Sequence, residues 1–288
     1  MSEQPRTGWN KQKPTPQRRA TTMRIPVIMC HGISDQGDYP LSEEHFNTLV
    51  QIAADMEFTS INYDQLHAWH SGGASLPERP IMFDFDHPMK SMRYEVHKAL
   101  DRHGYRGNLF INTGLMEGEG SVQLRHGEKT MTWDEIRELV ELGWHIGAHT
   151  VTHPDLSQLS LEDLQGDRLK EELETCDATL EEQLGKAPQD FAFTGTSWST
   201  IAAKRVKERY RFGRLWLIGS MVQVDGGEMR VAELLGAQGD DEADGGPPMV
   251  ARYIERGTSA YLLPSIEIQS PLLHTEEAFR SYLEGALV

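Results

Sequence analysis

Across 288 residues, 44 acidic side chains outweigh 28 basic ones and leave a formal charge of -16 at pH 7, which excludes nucleic acid and anionic membrane as partners because both would repel such a surface. No apolar stretch approaches the roughly 20 residues of a membrane span, and no apolar run follows the positive charges near the start. The chain as it stands therefore reads as cytoplasmic, or as extracellular or envelope-bound if a leader has been removed. Two cysteines, Cys30 and Cys176, make neither a disulfide framework nor a Cys-x-x-Cys pair and read as core thiols.

Residues 1–23 are polar, proline-bearing and locally basic, with too few large apolar side chains to offset the entropy of ordering; they are expected to form a disordered or wrap-around tail. Residues 24–288 read as one domain. Ile25 to Cys30 is β-like and ends at His31-Gly32, and Ser42 caps a helix-spaced run through Phe46, Leu49, Val50 and Ala53. Ser60-Ile61 precedes a helix-like Tyr63 to Trp69. The Gly72-Gly73 turn then leads to a buried strand, Ile81-Met82-Phe83, that delivers Asp84-Phe85-Asp86 at its end. A helix from Met92 to His103 stops at Gly104, Asn108 to Ile111 is a strand, and the segment 115–130 reads as a loop.

Thr132 and Glu135 form a capping-box signature for a helix that Gly143 closes, and Trp144 to Ala148 is the strand presenting His149. A long helix is expected from Ser160 to Leu184, then strands at Phe191 to Phe193 and Arg214 to Ile218 around a helix near Ile201 to Tyr210. Residues 222–248, rich in glycine and acid, read as a solvated loop. A last strand, Tyr261 to Ile268, precedes Leu272-Leu273-His274 and a terminal helix from Thr275. Strand followed by helix, repeated about seven times, implies an α/β fold with a TIM-like (β/α) barrel and functional groups at the carboxyl ends of its strands.

His149-Thr150-Val151-Thr152-His153 is the sharpest motif, because two imidazoles four residues apart behind an apolar run can grip one metal ion from the same side. Pro154 disfavours α geometry at His153, which puts the pair on a strand-end loop or a single turn rather than within a long helix. Such a pair needs a third, oxygen ligand. Asp84 and Asp86, two apart on a strand, point to one face and can both look into one pocket. Either motif alone is common in a chain with 12 histidines; their order, each at a predicted strand end, singles out a hydrolytic metal site. His31 reads either as facing a substrate or as a core histidine.

These motifs, in this order over residues 25–285, resemble the polysaccharide deacetylase family, the NodB-homology fold also called carbohydrate esterase family four. Met82 to Asp86 approximates its Thr-Phe-Asp-Asp-Gly, with Phe85 interposed; His149 to His153 matches its His-Ser/Thr-x-x-His; Leu272-Leu273-His274 is similar to its closing Leu-x-His. Ile25 to Ile33 and Leu41 to Phe46 are similar to the opening of the branch that de-N-acetylates poly-N-acetylglucosamine. Phe193-Thr194-Gly195-Thr196 stands where the third motif is expected, without the family's arginine, and no aspartate and tryptophan of the fourth motif are identifiable.

The resemblance implies a distorted seven-stranded barrel in which Asp86, His149 and His153 hold a divalent ion, zinc first, with cobalt, nickel or iron as alternatives. It further implies Asp84 as the base, His274 as the donor of a proton to the departing amine, and the backbone N–H of Gly195 as oxyanion donor. The expected activity is removal of an N-acetyl group from an amino sugar or its polymer. The competing expectations are an amidase or cyclic-imide hydrolase on a small molecule, and a degenerate glycan-binding domain. The sequence leaves the oligomeric state open.

Overall fold

The computed structural model describes residues 23–35, 38–116 and 129–288. Residues 1–22 of the expected tail at 1–23 and most of the loop at 115–130 lie outside the described residues. Seven strands pair in parallel around a closed ring: β1 (Ile25–Cys30), β2 (Pro80–Asp86), β3 (Asn108–Ile111), β4 (His145–Ala148), β5 (Asp190–Ala192), β6 (Phe212–Leu217) and β7 (Leu263–Glu267). Closure comes from β1, which pairs with β7 on one side and with β2 on the other. The ring is the TIM-like barrel that the strand and helix repeat implies, with seven strands.

Period-two alternation along these strands sorts the core into two layers. Ile25, Val27, Met82, Phe110, Ala192, Phe212 and Leu263 form one buried cluster, which Tyr63, Leu66 and Trp69 of the helix Tyr63–His70 join. The intervening positions, among them Ile28, Phe83, Phe85, Leu109, Ile111, Phe191, Leu215 and Ile266, join a second cluster with the apolar faces of the surrounding helices. Inside the barrel the same parity that carries Met82 and Phe110 also carries Asp84, Asp86, Arg214, Ser265 and Glu267, all buried. A polar layer thus lies above an apolar one, toward the carboxyl ends of the strands.

Local signals set most element ends. Thr132 and Glu135 make the expected capping box of the helix Trp133–Glu141, and Ser42 and Thr275 cap theirs through side-chain oxygens. Three stretches depart from the sequence reading. The expected long helix is two, Leu156–Glu162 and Asp167–Leu184, because Gly166 takes a left-handed φ of 70° and the Asp163 carboxylate accepts from the N–H groups that start the second helix. The run from Met92 opens as a wide turn to Val96 and then a short helix, His97–Asp101.

Residues 222–248 are not a structureless loop either. Met221–Val224 and Gly227–Arg230 form a hairpin, and Val231–Leu235 is a short helix. Asp225-Gly226, both at positive φ, is the two-residue turn a right-twisted hairpin favours. Glycine and acid there mark turns and ion pairs, such as Arg230 with Asp241 and the buried Arg252 with Asp244.

Gly147 in β4 shows how tightly the barrel closes. A Cβ at that position would come within 2.5 Å of the Phe110 ring and 3.0 Å of the Asp190 carbonyl. Gly147→Ala should therefore cost about 1–3 kcal/mol of stability through overpacking. The check is the urea midpoint at unchanged slope; an unshifted midpoint would mean that the interior yields freely.

Candidate metal centre

Parallel pairing of β2, β3 and β4 carries three histidines to one place. His87 follows β2 directly and its N–H donates to the Phe110 carbonyl, while the N–H of His149, directly after β4, donates to that of Ile111. Both strands flank β3, so the two imidazoles leave neighbouring strand ends. His153 returns to them at the end of the Thr150 to Thr152 loop. One ring nitrogen from each of His87, His149 and His153 lies within 4.8 Å of the others, a group that can hold a metal ion. His87 (φ 67°) and His153 (φ 59°) both occupy the left-handed region. Non-glycine residues persist there only when the surroundings over-determine them, as happens at functional sites.

The second ring atoms fix the rings. His149 Nδ1 faces the Ala192 carbonyl at 2.8 Å, so the proton sits on Nδ1 and Nε2 is left as an acceptor. That Nε2 is buried and has no hydrogen-bond partner among the described residues. His87 Nδ1 meets Asn112 Oδ1, and Asn112 Nδ2 donates to the His149 carbonyl, which ties two of the three histidines to one amide. Burial drives the His149 pKa down to about 3 against the pull of Asp86. Burial, joined by the neighbouring imidazoles, also holds His87 well below its ordinary value. Neutral imidazoles with a buried, unpartnered nitrogen are what a metal requires of this donor set.

Asp86 stands beside this group. Its Oδ2 lies 3.7 Å from His149 Nε2, and its Oδ1 accepts from Nη2 of Arg214. Asp84, one step deeper, accepts from the Tyr63 hydroxyl at 2.6 Å and from Asn108 Nδ2 at 2.9 Å, with Arg214 Nε 3.6 Å away. Arg214 thus joins both carboxylates, with Ser265 Oγ on its Nη1 and the Phe110 ring 5.0 Å from its guanidinium carbon. The two acids are driven apart. Burial lifts Asp84 to about 6, more than Arg214, Tyr63 and Asn108 can offset; at Asp86 burial acts the same way, but Arg214 and then the imidazoles hold the carboxyl at about 2.

A third acid completes the mouth. Glu267, at the end of β7, accepts from Trp216 Nε1 at 2.9 Å and pairs at 2.8 Å with Nδ1 of His31, which follows β1. Burial lowers the His31 pKa, but the charge and hydrogen bond of Glu267, with Asp86 behind, raise it overall. The His31 ring stacks on His87 with centroids 5.2 Å apart and meets Trp216 edge-on at 4.8 Å.

Of the residues singled out in the sequence, Asp84, Asp86, His149 and His153 are thus gathered at the strand ends. The third place among the imidazoles belongs to His87, and Asp86 turns one oxygen to Arg214. His274 has its ring against Tyr39 and His45, with burial and then His45 lowering its pKa. Gly195, just beyond β5, has a left-handed φ of 63°, and among the described residues nothing lies within 4 Å of where a Cβ would stand. Sequence reasoning missed His87, Arg214 and Glu267, the partner of His31. Their signals were present: a histidine directly after Asp-Phe-Asp, and single charged residues in otherwise apolar strands, at the parity of inward-facing neighbours.

Removing the guanidinium would leave two buried carboxylates uncompensated. Arg214→Met is expected to cost about 3–5 kcal/mol at pH 8. Without Arg214 both carboxyls hold protons to higher pH in the folded state than in the unfolded chain, so the deficit shrinks as pH falls toward 5. Urea titrations of metal-free protein at the two pH values check this; equal deficits would mean that the side chain acts by packing alone.

Residues 73–210 match the family model described as polysaccharide deacetylase. Among solved structures, IcaB from Ammonifex degensii superposes with a TM-score of 0.67 at 15% identity, covering 92% of this chain and 98% of that one. The Streptococcus pyogenes deacetylase PplD, solved in complex with acetate, gives 0.62 at 18% identity over 88% and 97%. The BpsB deacetylase domain from Bordetella bronchiseptica gives 0.63 at 14% over 85% and 96%. No curated protein matches this chain.

Proposed function

We propose that this chain, whose residues 73–210 match the polysaccharide deacetylase family, is a metal-dependent hydrolase that removes an N-acetyl group from an amino sugar or its polymer. The observation that carries the reading is the convergence of three imidazoles, one with a buried nitrogen that has no hydrogen-bond partner among the described residues, beside a carboxylate gripped by a buried arginine. His87, His149 and His153 would hold the ion. Three imidazoles suit zinc, with cobalt, nickel and iron as alternatives, and the ion supplies Lewis acidity toward water and an amide carbonyl.

The chain's own groups then divide the proton work. Asp86 is the base: it is the carboxylate nearest the imidazoles, Arg214 keeps it ionised, and its Oδ2 receives the proton of the attacking water. Asp84, with its oxygens taken by Tyr63 and Asn108, holds Arg214 in place. His31 gives the departing amine its proton from Nε2, because Nδ1 is committed to Glu267 and the ring stacks on His87 at the mouth. The resemblance gave that role to His274, whose surroundings of Tyr39 and His45 support it less well. The backbone N–H of Gly195 is the proposed oxyanion donor, on a segment that a substrate can approach closely.

Zinc-loaded protein should release acetate from a β-linked N-acetylglucosamine oligomer, and Asp86→Asn should lower kcat by about 10²–10⁴-fold while zinc stays bound. No acetate release with any divalent metal, or turnover of small amides only, would sink the sugar reading. If His31 is the proton donor, His31→Gln should lose much more rate on an alkyl acetamide than on an activated anilide, whose amine departs without help. Equal losses on the two substrates would remove His31 from that role.

A further inference from the structure

The loop between His149 and His153 must hold an unfavourable shape. Thr150 (φ 68°) and His153 (φ 59°) are both left-handed, and only part of the strain is met inside the loop, where Thr150 Oγ1 accepts from the His153 N–H at 3.0 Å. The Thr113 and Gly114 N–H groups reach the carbonyls of Thr150 and Val151 at 3.2 Å. That anchors the carbonyl side of the loop. Its N–H side points the other way, to a single carboxylate.

Glu172 lies 20 residues downstream on the helix Asp167–Leu184, whose Leu169, Leu173, Cys176 and Leu180 are buried against the barrel. Its Oε2 accepts from the N–H groups of Val151 and Thr152, both at 2.9 Å, and its Oε1 accepts from the Thr152 hydroxyl at 2.7 Å. Three hydrogen bonds converging on one carboxyl group leave the loop little freedom between its two histidines. The helix is packed before any ligand arrives, so the position of His153 relative to His149 is set by the fold.

We propose that Glu172 is a positioning residue for the metal centre: by clamping Val151 and Thr152 it places His153 in advance, so that the ion does not have to order the loop. The inference rests on the metal reading given above. Organisation supplied beforehand shows as affinity, because binding no longer bears the entropy of ordering the ligand loop.

The test is zinc affinity by competition with a chelating dye, together with the visible spectrum of cobalt-substituted protein. It runs on the full chain as wild type, Glu172→Ala, Glu172→Gln, Thr152→Val and His153→Ala. Glu172→Ala should bind zinc about 10-fold or more weakly, as loss of an outer-shell support commonly does, and should alter the cobalt bands. Glu172→Gln, whose amide oxygen can still accept from both N–H groups, should recover most of the affinity; Thr152→Val, which loses only the hydroxyl bond, should show a smaller loss. Wild-type zinc affinity in Glu172→Ala overturns the proposal. If that variant does not fold, Thr152→Val decides, weakened binding supporting the proposal and unchanged binding overturning it. His153→Ala separates the two readings: if it also binds zinc like wild type, the metal centre itself is misassigned, whereas if it alone loses zinc, only the role of Glu172 falls.

Discussion

A fully buried guanidinium set between two buried carboxylates organises the interior of this barrel. Arg214 reaches Asp86 directly, stands 3.6 Å from Asp84, and rests on Ser265 and the face of Phe110. Taking three charges out of water is costly, and their mutual attraction offsets that cost only with good geometry and with the remaining donors and acceptors satisfied. Here Tyr63 and Asn108 satisfy Asp84, which in turn fixes the arginine. Asp86 is therefore presented at the barrel mouth ionised, with one oxygen directed toward His149.

The division of labour between the two acids follows from depth. Asp84 is one pleat further from the mouth, where burial dominates and lifts its pKa; Asp86 meets the arginine and the imidazoles together and stays low. The histidines are prepared in a complementary way. A carbonyl and an amide take one nitrogen of His149 and of His87, and burial keeps both rings neutral. The fold thus provides a site with an ionised Asp86, neutral imidazoles at His149 and His87, and at the rim a histidine whose charge Glu267 favours.

The loops that bear these groups are rigid for reasons outside the site. Parallel pairing continues past the strand ends through the His87, His149, Thr113 and Gly114 N–H groups, and Glu172 holds the far side of the histidine loop. Left-handed backbone at His87, Thr150 and His153 is the local cost of aiming side chains at one point from neighbouring strands.

Chain-local chemistry determined the repeat of strand and helix, the caps at Ser42, Thr132 and Thr275, and the placement of Asp84-Phe85-Asp86 and His149 to His153 at strand ends. Each depends on periodicity or on contacts within a few residues, so each can be read from the amino acids in order. The same reading set the whole of 222–248 as loop, because a two-residue Asp-Gly turn in an acidic stretch looks like solvated chain until a partner strand is known. The tertiary structure alone decided which strands are neighbours. That choice brought His87 to His149 across β3, put Arg214 of β6 against the acids of β2, and joined Glu267 of β7 to His31 just after β1. Barrel closure pairs residues up to more than 200 positions apart, and a charged residue inside an apolar strand acquires its meaning only from what stands opposite it.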